Sequence, residues 1–129
     1  MSEQMKNSVQ KRYQVGVEAA LEVIGGKWKP LIIYHLITGR KRTSELRRLV
    51  PGITQKMLTT QLRGLEKDGI VRRKAYNEIP PKVEYELTHY GWGLKPALDL
   101  LCYWGEDHLE KMYGDKSKVL EEFQGSCVE

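Results

Sequence analysis

The stretch from Ile53 to Gly69, ITQKMLTTQLRGLEKDG, constrains this chain more than any other. Thr54 is placed to cap a helix N-terminus and Gly69 to stop the same helix, so both ends of one element are written into it. At about 100° per residue, Leu58, Leu62 and Leu65 fall on one stripe. Gln55, Lys56, Thr59, Thr60 and Arg63 gather on another face, which carries no carboxylate before Glu66. Amide, ammonium, hydroxyl and guanidinium groups are the ones that hydrogen-bond base edges and phosphates in a major groove. Taken alone, the segment equally describes an amphipathic helix with a solvated outer face, and its neighbours decide between the two.

The charge distribution speaks for a polyanion. From Lys27 to Lys82 there are 14 Lys and Arg against 4 Asp and Glu, a net +10. The remaining residues hold 7 against 13, a net −6, and together they make the +4 of the whole chain. A solvated surface explains charge but not this segregation, which is the electrostatic footprint expected for nucleic acid. At 129 residues the chain is one domain's worth. No apolar run is long enough for a membrane span, and no secretory apolar region follows the polar Met1–Asn7 start. Cys102 and Cys127 lie far apart and do not suggest a disulfide framework, so a reduced, cytoplasmic setting is expected.

In chain order, residues 1–16 read as a polar N-terminal arm. Val17–Ile24 reads as a short helix with Val17, Ala20, Leu21 and Ile24 on one face, ended by Gly25-Gly26. Pro30 suits the first position of a second helix, Leu31–Ile37, apolar nearly all round and therefore central. His35 within it reads as a core histidine, since neither His89 nor His108 stands at metal-ligand spacing. Arg40-Lys41-Arg42 is a short extended basic piece. A helix starting at Thr43 and Ser44 follows, with Leu46 and Leu49 inward, and Pro51-Gly52 turns into the helix described first. Helix, tight turn, helix is a helix-turn-helix arrangement.

After Gly69 the period becomes two. Val83, Tyr85 and Leu87 alternate with Lys82, Glu84 and Glu86, and Ile70–Tyr76 is a plausible partner strand, whose Arg72 and Lys74 could pair across to Glu84 and Glu86. A hairpin directly after a recognition helix is a wing, with Asn77 and Lys82 near its tip. Thr88 then starts a last long helix, with a break expected near Pro96. Beyond the break Leu98, Leu101, Cys102, Gly105, Leu109 and Met112 form an apolar stripe. With Leu94 and Trp104 added, that helix is expected to pair with a second copy, with packing on its own domain as the alternative. The expected fold is mainly α with a small β-hairpin wing, a dimeric winged helix-turn-helix: residues 17–88 the DNA-binding domain, 89–113 the dimerisation helix and 114–129 a C-terminal tail.

Four motifs in this order, IGGKW at Ile24–Trp28, LVPGITQKML at Leu49–Leu58, LRGLEKDG at Leu62–Gly69 and PPKVEYELT at Pro80–Thr88, resemble the HxlR family. These are bacterial winged-helix transcriptional regulators related to the MarR group, and the likeness runs over about Val17–Tyr113. The resemblance implies a homodimer whose helix Thr54–Asp68 enters the major groove and whose hairpin Ile70–Leu87 is the wing. Many members carry a sensing cysteine just before the first helix. Here that place falls near Val15 and no cysteine precedes Cys102, which puts sensing by the family's usual residue in doubt. Cys102 itself reads as a small apolar filler whose neighbours Asp99 and Glu106 would raise a thiol pKa.

The expected function is therefore a sequence-specific DNA-binding transcriptional regulator that binds an inverted-repeat operator on double-stranded DNA as a homodimer. Thr43, Ser44, Arg47, Arg72 and Lys82 are the expected backbone contacts, with Lys74 and Asn77 on the wing. Gln55, Lys56, Thr59, Thr60 and Arg63 are the expected base readers. The alternative is a winged helix serving protein interaction without specific DNA binding, whose second helix would show an acidic or apolar face. No phosphate loop, nucleophile–histidine pair or metal cluster argues for an enzyme, no cofactor is expected, and a small-molecule effector, if one acts, is left unspecified.

Overall fold

The computed structural model describes residues 11–120. Six helices and one hairpin follow in order: α1 (Gly16–Ile24), α2 (Trp28–Ile37), α3 (Thr43–Leu49), α4 (Gln55–Lys67), β1 (Val71–Tyr76), β2 (Lys82–Leu87), α5 (His89–Trp92) and α6 (Lys95–Tyr113). A 3₁₀ turn at Lys116–Lys118 lies near the end of the described residues. Residues 1–10 and 121–129, with Cys127, lie outside the description, so the arm is seen only from Lys11.

The core is built around α2, whose Ile32, Ile33 and Leu36 are fully buried. Against it lie Leu58, Leu62 and Leu65 of α4, Leu46 of α3, and Val71 and Leu87 from the hairpin. Each such side chain withdrawn from water contributes on the order of 1.5–3 kcal/mol before the entropy cost. Pro30 sits third in α2 rather than first. That is tolerated because the first-turn amides have no intrahelical acceptor to lose.

The wing pairs with Val71 opposite Leu87, Arg72 opposite Glu86 and Lys74 opposite Glu84. The extended basic piece adds a bridge: the Lys41 amide donates to the Tyr85 carbonyl at 3.0 Å and the Tyr85 amide donates back at 2.9 Å. β2 is thus flanked on both sides, by β1 and by Lys41.

Thr88 joins the end of the wing to its start. Its hydroxyl donates to the Gly69 carbonyl at 2.5 Å and accepts from the Gly91 amide at 3.0 Å, capping α5. The expected break in the last helix falls at Gly93–Leu94, and Pro96 then occupies the first turn of α6. Gly91 is buried so close to the wing that an added Cβ would lie 2.2 Å from the Ile70 carbonyl oxygen. Because that obstacle is backbone, Gly91→Ala is expected to lower stability by roughly 1–3 kcal/mol, read as a reduced urea midpoint at unchanged m-value.

Candidate nucleic-acid interface

α4 is set by its cap and its stripe. The Thr54 hydroxyl accepts from the Met57 amide at 3.1 Å, and Gly69 at φ +78° ends the helix just past Asp68. With Leu58, Leu62 and Leu65 turned into the core, Gln55, Lys56, Thr60 and Arg63 are exposed and Thr59 half-buried. The Gln55 side-chain amide donates to the Thr59 hydroxyl at 3.2 Å, so these two act as a pair. In α3, Ser44 and Arg47 are exposed and Thr43 is half-buried. The Glu45 carboxylate accepts from the Arg42 amide at 2.8 Å and fixes that helix start.

The wing's even-numbered face is a closed network. Arg72 Nε meets Glu86 at 2.9 Å, and Arg40 reaches the same carboxylate at 3.4 Å. Arg40 also donates to the Tyr76 hydroxyl at 2.6 Å, and that hydroxyl donates to Glu84 at 2.9 Å. Lys82 lies 3.8 Å from Glu84, and the ammoniums of Lys82 and Lys74 stand 4.7 and 5.6 Å from the Tyr76 ring centre. Loss of hydration first, then the bond to Glu84, raises the Tyr76 phenol above its ordinary pKa. Arg72, Lys74 and Lys82 are therefore held on the hairpin, while Asn77 is exposed at its tip. Arg40 and Tyr76 were not among the residues expected at the site. The extended Arg40–Arg42 piece carried a signal for Arg40, but its pairing with Tyr85 is a tertiary event.

α6 corrects the expected interface list. Leu98 is buried and Leu94 packs half-buried on the chain's own core. Cys102, Gly105 and Leu109 continue that inward stripe half-buried. Leu101, Trp104 and Met112 are exposed, 60%, 67% and 59% respectively. The expected stripe thus mixes a covered set with an exposed outer one, Leu101, Trp104 and Met112. Trp104 stacks on His108 at 5.2 Å between ring centres. On α1, Val17 and Leu21 are also exposed and only Ile24 is buried.

Cys102 is a second correction: it is disulfide-bonded, not an apolar thiol. The carboxylates expected to raise its pKa are themselves paired, Asp99 with Lys95 at 2.7 Å and Glu106 with Lys116 at 3.3 Å. Among the described residues no group of acidic, histidine or cysteine side chains could hold a metal ion. No described helix is long and apolar enough to cross a membrane.

A helix-turn-helix with an exposed polar second helix, followed at once by a two-stranded wing, defines a winged helix-turn-helix regulator. The model of the HxlR-like helix-turn-helix family matches residues 23–113, and the chain belongs to that family. It is 62% identical over 112 residues to YtcD of Bacillus subtilis (strain 168), an HTH-type transcriptional regulator, covering 87% of this chain and 89% of YtcD. The crystal structure of ytcD aligns with a TM-score of 0.72 at 61% identity, over 75% of this chain and 99% of that one. The reduced form of the redox regulator HypR aligns at 0.73 and 51% identity, over 78% of this chain and 99% of that one. The protein is a DNA-binding transcriptional regulator.

The cap on α4 gives the site a stability test. Thr54→Ala removes the acceptor from the Met57 amide and is expected to cost about 1 kcal/mol in denaturant unfolding. Thr54→Ser should keep most of it.

Proposed function

We propose that the protein reads an inverted-repeat operator as a homodimer, with the exposed face of α4 in the major groove. The observation that carries this reading is the rotation of α4: its three leucines are buried, so Gln55, Lys56, Thr60 and Arg63 stand together in solvent with no carboxylate among them. Gln55, steadied by Thr59, suits an adenine edge and Arg63 a guanine edge, since each bonds such an edge bidentately. Thr43, Ser44 and Arg47 lie on the preceding helix, where backbone contacts orient the reader. A winged-helix interaction module would present an acidic or apolar α4, and this one is basic.

The dimer reading rests on exposed apolar side chains. Leu101, Trp104 and Met112 on α6 and Val17 and Leu21 on α1 are each about 60% exposed. An open apolar groove of about 380 Å³ lies between α1 and the α5–α6 junction, lined by Ala20 and Val23 of α1, Tyr90 of α5 and Leu94. Apolar side chains gathered in this way mark an interface, and a second copy supplies matching ones by symmetry. The sequence-based division thus stands as a proposal in modified form: residues 17–88 with α5 and the start of α6 as the reading head, and the outer row of α6 with α1 as the pairing surface.

DNase footprinting across the DNA upstream of its own gene should protect two half-sites about one helical turn apart or a multiple of that. Gln55→Ala and Arg63→Ala should each lose roughly 1–3 kcal/mol of discrimination between that site and random duplex, with the fold intact. Equal losses on both DNAs would remove the base-reading assignment. In sedimentation equilibrium Leu101→Glu and Trp104→Glu should turn a dimer into a folded monomer; a variant still dimeric would put the interface elsewhere.

A further inference from the structure

We infer that Arg73, rather than Arg72, is the wing cation that meets the DNA backbone. The register decides which side each strand residue takes. Val71 and its partner Leu87 are buried against the helices, so the odd-numbered residues of β1 and β2 face the helical layer that holds α4. Arg73 follows Val71 on that side, opposite Tyr85, and is exposed beyond the edge of the core. Ala75, next on the same side, is exposed and small, leaving the approach to Arg73 open.

The two faces of the hairpin differ in how their charge is used. On the even face Arg72 and Arg40 share Glu86, and Lys82 lies beside Glu84. A phosphate arriving there would compete with two fixed carboxylates and would have to break pairs already made. Arg73 makes no ion pair or hydrogen bond with any described residue. Its guanidinium carries a full charge and five donors with no acceptor assigned to them. A phosphate diester is the ligand chemistry such a fork takes up.

This inference rests on the placement of α4 proposed above, and the test keeps the two apart. Binding of the full chain to a fluorescein-labelled duplex of mixed sequence is followed by anisotropy at several salt concentrations between roughly 50 and 200 mM. Arg73→Gln should reduce the slope of log affinity against log salt by about 0.9 for each Arg73 that meets a phosphate. Arg73→Lys should restore most of that slope, and Arg72→Gln should leave it at the wild-type value, with melting temperatures confirming that each variant is folded. A wild-type slope in Arg73→Gln, or an equal loss in Arg72→Gln, overturns the assignment. Lys56→Gln reports on α4 itself: a reduced slope there with none in Arg73→Gln removes only the wing contact, whereas a flat response in the wild type removes the α4 reading and this one together.

Discussion

The packing of α4 on α2 is the interaction on which the rest of the molecule depends. Leu58, Leu62 and Leu65 are at most 1% exposed, and they meet an α2 whose Ile32, Ile33 and Leu36 are equally hidden. Three leucines on one stripe fix the rotation of a helix to within a fraction of a turn. Rotating α4 by one residue would bring a polar side chain into the core and expose a leucine, and each half of that exchange costs kilocalories. The polar face is therefore presented by the core rather than by any contact of its own. Only Gln55 and Thr59 hold one another, and Lys56, Thr60 and Arg63 are left in solvent.

The wing follows a different principle. Only its root is anchored by burial, through Val71 and Leu87, and the outer strands keep their shape through polar contacts. Arg40 ties the segment before α3 to both strands, through Tyr76 on β1 and Glu86 on β2. Exposed ion pairs contribute little stability one at a time, but these share partners, so they fix direction more than they add energy. Two lysines beside the Tyr76 ring have the same effect, since the aromatic face draws the ammoniums inward. The net charge of the chain's centre thus overstates what is free to meet a polyanion.

Local pattern carried most of this fold. The α4 stripe, its Thr54 cap and the Gly69 stop are all readable from spacing, and the observed helix lies within one residue of those signals. The hairpin's two strands and the face each side chain takes were equally legible, since a one-residue slip would turn the apolar set outward. Three features were not. Lys41 pairs with Tyr85 across 44 residues, which no local pattern encodes. On α6 covered and exposed apolar residues share one stripe, and only the folded chain shows that Leu94 and Leu98 belong to its own core. On the wing, charge complementarity drew attention to Arg72 and Lys74, although the same alternation placed Arg73 on the helical side.

The division of α6 bears on how such a protein could be regulated. Its inner row completes the core that orients α4, with Leu98 buried and Leu94 packed beside it. Its outer set, Leu101, Trp104 and Met112, is exposed. In the proposed dimer, association and folding therefore draw on different side chains of one helix. A change confined to the outer row can alter the distance or angle between two reading heads while each head keeps its shape. Operators with two half-sites are sensitive to that distance, because both heads must sit in register with the duplex repeat. A displacement too small to disturb Leu58 or Leu62 is then enough to separate specific from non-specific binding. The rigid core and the exposed outer row are both needed for that result: the first keeps each head competent to read, and the second sets whether two heads read together.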